Sequence, residues 1–284
     1  MRVPVPVLAL WSIGISTLSA SGLGCDSATA GSVMDAGNTL VDATGDTGDG
    51  GSGGTGGGGD AGPTGPFRVL VFSLTLGFRH ESIEDATAAL AAMAAEGDYT
   101  LDTTEDPARF SAAGLGSYAV VVFLMTSGDV LDTTQQAAFE AWVHAGGGYV
   151  GVHSASDTEY DWPFYGSLVG AYFASHPAIQ PATVRIERAD HPATVDLPAA
   201  WMRTDEWYNF RANPRASVTV LATLDESTYS GGTMGADHPV AWVHEREGGR
   251  AFYTALGHTS ESYAEPLFRR HLLGAIRWAA RRAP

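Results

Sequence analysis

The pattern of hydrophobic and polar positions divides the chain into three parts. Residues 1–25, MRVPVPVLALWSIGISTLSASGLGC, carry one basic residue, Arg2, and then an apolar run from Val3 to Leu18. The run is short for a membrane-spanning helix and is followed by small residues, as in an export signal. Residues 26–66, which include GDTGDGGSGGTGGGGDAGPTGP, have almost no large apolar side chains. Such a segment cannot bury enough surface to offset its ordering entropy, so a flexible tether is expected. Residues 67–284 have the pattern of a core-forming segment and read as one domain.

Within that domain, Phe67–Ser73, Ala119–Met125 and Tyr149–His153 are continuous apolar runs, as in strands buried on both faces of a parallel sheet. Tyr99–Thr103 predicts a shorter strand. Ser82, with Asp85 three residues on, predicts a capped helix reaching about Glu96. Asp132 or Thr133 opens a second helix, which glycines close. The alternation predicts an α/β fold with an open, doubly wound, mostly parallel sheet flanked by helices. Phe164–Phe173 reads as helical. Strand-like runs at Ala182–Arg188, Val218–Leu224, Pro239–His244 and Arg250–Leu256 add strands in the C-terminal half. Pro266–Arg282 predicts an amphipathic helix with Phe268, Leu272, Ile276 and Ala279 on one face.

Charge and cysteine usage narrow the chemistry. The formal net charge is −16, from 16 basic and 32 acidic residues, and every basic residue is arginine. Without lysine there is no Schiff-base or Walker-type mechanism. An acidic surface repels phosphate backbones, so nucleic acid is not an expected partner. Cys25 is the only cysteine. The domain therefore has no intrachain disulfide, thiolate metal cage or thiol nucleophile. Following the signal, Cys25 has the position of a lipoprotein's lipid-modified cysteine, although Gly22 stands where that pattern usually has leucine. A lipid anchor on a membrane surface is the expected partner and location; ordinary cleavage near Ser21, with Cys25 left free, is the other reading. Homo-oligomerisation stays open.

In open α/β sheets, ligands bind beyond the carboxyl ends of the strands. Past these ends lie His80 and Glu81, then His153, Ser154, Asp157 and Trp162, then Asp205, Glu206, Tyr208 and Asn209, then Asp237 and His238, and finally His258 and Tyr263. His153 and Asp157 could form an acid–base pair, with His258 and Glu206 completing a catalytic set. Alternatively His80, His153 and His258, with Glu206, could gather one divalent metal. No compact metal motif supports that choice, and a lone histidine is more often structural. Trp162, Trp207, Tyr208 and Tyr263 could stack on a sugar ring or could simply pack the core. His144 and His271, on predicted helices, read as structural or surface groups.

These segments also carry a resemblance. FRHESI, GGGYVGVHSASDTEYDWPFY, YFASHP, TDEWYNFRANP, SGGTMGADHPVAW and GHTSESYAEP, in that order, resemble the ThuA-like family over about 67–280. The resemblance implies a fold similar to the class I glutamine amidotransferases (flavodoxin-like) and a role in using trehalose or another sugar. In those amidotransferases a nucleophilic cysteine sits at a strand-to-helix elbow. The matching stretch here is Gly151–Ala155, and His153 takes the cysteine's place, so glutaminase activity is not implied. The expected ligand is a carbohydrate, a disaccharide or keto-sugar. An enzyme, a non-catalytic sugar-binding surface lipoprotein and a structural surface module are the competing readings. Convergence of His80, His153, Asp157, Glu206 and His258 in one pocket separates them.

Overall fold

A computed structural model describes residues 65–282. The expected signal, Cys25 and nearly all of the tether lie outside the described residues. In chain order the elements are β1 (Phe67–Phe72), α1 (Ile83–Met93), β2 (Tyr99–Thr104), α2 (Ala112–Leu115), β3 (Val120–Leu124), α3 (Thr133–His144), β4 (Gly148–Val152) and α4 (Pro163–Val169). There follow β5 (Phe173–Ser175), β6 (Gln180–Ile186), β7 (Ala200–Asp205), β8 (Asn209–Phe210), β9 (Thr219–Asp225), β10 (Pro239–His244), β11 (Ala251–Thr254), α5 (Ser260–Ala264) and α6 (Pro266–Ala279).

Nine strands form one sheet in the order β2-β1-β3-β4-β11-β10-β9-β6-β7. The first five are mutually parallel and the rest alternate in direction. Every residue of β3 and β4 is buried, as continuous apolar runs require when both faces are covered. Asp132 caps α3, accepting from the Thr134 and Gln135 amides while the Gln135 side chain returns to the Asp132 amide. In α6, Phe268, Leu272, Ile276 and Ala279 are all buried, so the predicted face is the packed one.

Three expectations are corrected. Ser82 does not cap α1: its backbone is already helical, and its hydroxyl donates instead to the His258 carbonyl at 2.6 Å. The helix expected over Phe164–Phe173 ends at Val169, because Gly170 (φ +89°) turns the chain, and Phe173 begins β5. The strand β7, AWMRTD, was not foreseen. It is an edge strand buried on alternate residues only, so its apolar signal is thin.

Candidate metal centre and pocket

The strand directions decide what reaches the rim. β4 ends at Val152 and β11 at Thr254, on the same edge of the sheet because the two are parallel. From β11 to β7 the direction reverses four times, so β7 also ends on that edge, at Asp205. In a flat sheet β7 would lie about 19 Å from β11, four spacings of about 4.8 Å. Yet the Asp205 carboxylate accepts from the Gly257 amide at 2.8 Å and the His258 amide at 3.0 Å. The antiparallel half is therefore curled back over the end of the parallel half. Register shifts between β9 and β10 lie within the curl, and such irregularities bend strands.

His153 follows β4 directly and has φ +51°, the left-handed region that non-glycine residues avoid. It occupies the elbow, and a 3₁₀ turn over His153–Asp157 follows it. Its Nδ1 lies 2.8 Å from the Ala255 carbonyl oxygen. A carbonyl can only accept, so Nδ1 carries a proton, and Nε2 is the nitrogen turned toward His258 and Glu206. That Nε2 is 3.1 Å from His258 Nδ1 and 3.4 Å from Glu206 Oε2, while His258 Nδ1 and Glu206 Oε2 are 3.1 Å apart. His80 closes the group, its ring centroid 4.8 Å from that of His153 and 4.9 Å from that of His258.

One ligand atom from each of His80, His153, Glu206 and His258 lies within 4.8 Å of the others. Burial, reinforced by the neighbouring His153 and His258, pushes His80 down to about 3, so its ring is neutral at ordinary pH. Burial alone would raise the Glu206 carboxyl. Its contacts with His153 and His258 outweigh this and hold it well below the usual carboxylate range. His153 Nε2, His258 Nδ1 and Glu206 Oε2 thus lie within 3.4 Å of one another, three donor atoms turned toward one point. Together with His80 they form a group that could hold one cation. Three imidazoles and one carboxylate suit zinc and similar transition ions better than calcium or magnesium. The Nδ1–H of His153 on a backbone carbonyl is the outer-shell bond that commonly orients such a ligand.

A pocket of about 260 Å³ opens over the centre. Beside His80, Glu206 and His258, it is lined by Asp157, His176, Tyr208 and the phenyl rings of Phe78 and Phe173. Asp157 does not pair with His153. Its Oδ1 accepts from the Tyr160 hydroxyl at 2.5 Å. Tyr208 packs its ring against His153 with centroids 4.2 Å apart.

Several expected ligand contacts lie elsewhere. Asp205 is fully buried, and its oxygens are taken by the Gly257, His258 and Glu206 amides and by Arg203. Asn209 bonds to Gly231 and Thr233. Asp237 is held by Arg215 at 2.6 Å, and His238 is buried between Glu226 and the Tyr208 carbonyl. Tyr263 donates inward to the Gly257 carbonyl. Trp162 packs on Phe139 and Tyr165 in the core, and Trp207 donates to the Gln180 carbonyl. Ser154 is buried behind His80, 3.4 Å from Nδ1. Glu81 lines a neighbouring depression and not the pocket. His271 is buried against the Ala193 carbonyl, whereas His144 is exposed on the Glu247 carbonyl.

His176 was not singled out from the sequence, yet its Nδ1 lies 2.9 Å from Glu206 Oε1. It stands in the YFASHP segment, just after the unforeseen β5. Without that strand nothing marked it as facing the pocket.

A parallel sheet with polar loops gathered at its carboxyl edge is the arrangement of the glutamine amidotransferase-like α/β fold. More narrowly, the chain belongs to the ThuA family, described as trehalose utilisation, whose model matches residues 68–279. A ThuA-like protein from Bacteroides uniformis is 26% identical, with a TM-score of 0.66 over 76% of this chain and 93% of that one. A second, from Parabacteroides merdae, is 20% identical, with a TM-score of 0.63 over 76% and 90% of the two chains. A β-galactosidase from Bacillus circulans shares the fold at a TM-score of 0.50 and 16% identity, over 75% of this chain and 31% of that chain. No curated protein matches the sequence significantly.

Proposed function

We propose that the protein is a divalent-metal-dependent enzyme acting on a carbohydrate, with the ion held by His80, His153, Glu206 and His258. The observation that carries this reading is the convergence of those four donors from four separate segments, three of them lining one pocket and His153 buried beside them. A cation there would polarise a hydroxyl or carbonyl oxygen of the sugar. Asp157, which lines the same pocket, is the group proposed to move a proton, with Tyr160 holding one of its oxygens in place. The family's description as trehalose utilisation supports a disaccharide or a keto-sugar derived from one. His153, in place of a cysteine at the elbow, argues against acyl transfer through a thioester.

The test is elemental analysis of the purified full chain together with a screen of disaccharides and keto-sugars. The expected result is one divalent ion per chain, removed by chelator, and a sugar turned over only by the loaded protein. A chain that takes up no ion from zinc, manganese or iron at micromolar concentration refutes the metal reading. The aromatic wall of Phe78, Phe173 and Tyr208 supports a second reading, a non-catalytic sugar-binding protein. Sugar binding with no turnover in the loaded chain would select it.

We propose further that the chain is exported and anchored through a lipid on Cys25. Labelled fatty acid should enter the wild-type protein and fail to enter Cys25→Ser, which should leave the membrane fraction. Equal labelling of the two would rule the anchor out.

A further inference from the structure

Continuous with the pocket lies a second depression of about 460 Å³. The two share Phe78, His80 and His258, so the ridge between them is the edge of the candidate metal centre. Much of the polar lining of the second depression is already engaged. The Ser82 hydroxyl is spent on the His258 carbonyl. Arg79 is paired with Glu84 at 2.8 Å and Glu105 at 2.7 Å. The Thr259 hydroxyl lies 3.3 Å from that of Ser262. Two apolar side chains of this wall are left open to solvent: Phe78 is 65% exposed and Ile179 is 46% exposed.

The exposure of Phe78 is built into the fold. Its carbonyl accepts from the Ser127 hydroxyl at 2.7 Å, and the Leu76 and Gly77 amides both donate to the Ser127 carbonyl. The backbone is pinned from below while the ring is held out, its edge against His80 with centroids 4.9 Å apart. An apolar surface held open beside a polar pocket marks a place where a ligand completes the cover. Glu81 and Glu261 line the same depression, and their charge disfavours anions.

We infer that this depression is a second subsite for an apolar aglycone. The substrate class is then a neutral glycoside bearing an aryl or alkyl group, with its sugar in the pocket and its aglycone across Phe78 and Ile179. This rests on the carbohydrate reading above and adds the part of the substrate that confers selectivity.

Calorimetric titration of the zinc-loaded full chain with methyl, phenyl and 4-carboxyphenyl glucosides, and with trehalose, tests it. Phenyl glucoside is expected to bind about 10-fold tighter than methyl glucoside, the return for covering one ring. The carboxylate on the ring should cancel most of that gain. In Ile179→Ser the phenyl-to-methyl ratio should fall toward one, and Phe78→Ala should weaken both ligands. Equal binding of the methyl and phenyl glucosides overturns the subsite while leaving the carbohydrate reading standing. Trehalose binding tighter than phenyl glucoside overturns it in favour of a second sugar. If the loaded chain binds none of these sugars, the subsite falls; if it binds no keto-sugar either, the carbohydrate reading falls with it.

Discussion

Replacing His153 with asparagine is expected to leave a folded protein that no longer holds a divalent ion. His153 is fully buried and sits at φ +51°. Asparagine is among the few residues that tolerate that backbone region, so the elbow keeps its shape. The ligand nitrogen, however, is gone. Outer-shell changes alone cost metal sites about 10–100-fold in affinity; removal of a direct donor should exceed that. Metal content after gel filtration should fall from one ion per chain to near zero, and any turnover should fall with it. The far-ultraviolet circular dichroism should match that of wild type. Thermal stability must be compared with metal-free wild type, because a bound ion itself raises the apparent stability. Full metal occupancy in the folded variant would remove His153 from the centre.

The second large effect is expected at Asp205, which does not line the pocket. Its Oδ1 accepts from the Glu206 and His258 amides, both belonging to proposed ligands, and its Oδ2 accepts from Gly257 and Arg203. One carboxylate thus fixes the spacing of two ligands. Arg203, itself buried, is further held by Ser262, 2.7 Å away, and lies over the rings of Trp201 and Phe268. Asp205→Ala leaves that guanidinium without its buried partner and should destabilise the fold by about 3–5 kcal/mol. Urea denaturation would read this as a lower midpoint at unchanged slope. Asp205→Asn is the finer probe. Its amide would face donors on either side, so two of the four contacts are lost while the size is kept. Metal affinity should fall by about 10–100-fold in a protein that is still folded. An unchanged affinity in Asp205→Asn would show that Asp205 supports the fold and not the centre.

The sequence made the parallel half of the fold legible, because strands buried on both faces are written as unbroken apolar runs. The buried face of α6 was legible for the same reason. The donors His80, His153 and His258 could be read because each follows a parallel strand at the edge where such sheets gather their loops. Glu206 was a harder case. It was picked from a polar segment without knowledge that a strand preceded it. The sequence could not tell Glu206 from its neighbour Asp205. Adjacent residues at a strand end point in opposite directions, and only the curl of the antiparallel half decides which of them meets the histidines. Asn209, Asp237 and His238 were misplaced for the same reason, since polar residues in tight loops serve backbone amides as readily as ligands. The aromatics divided in the same way. Trp162, Trp207 and Tyr263 serve the core, while Phe78, whose exposure no sequence pattern announces, faces the pocket.

The four reversals between β11 and β7 impose a parity rule on the centre. Glu206 joins the three histidines because an even number of antiparallel pairings between sheet neighbours gives β7 the direction of β11. Losing or gaining a single strand in the antiparallel half would deliver the carboxylate to the opposite edge of the sheet, far from the imidazoles. Losing or gaining a hairpin would preserve the side and change only the reach. The strands of this half can therefore vary in pairs without dismantling the centre, whereas any change of one strand removes its single anionic donor.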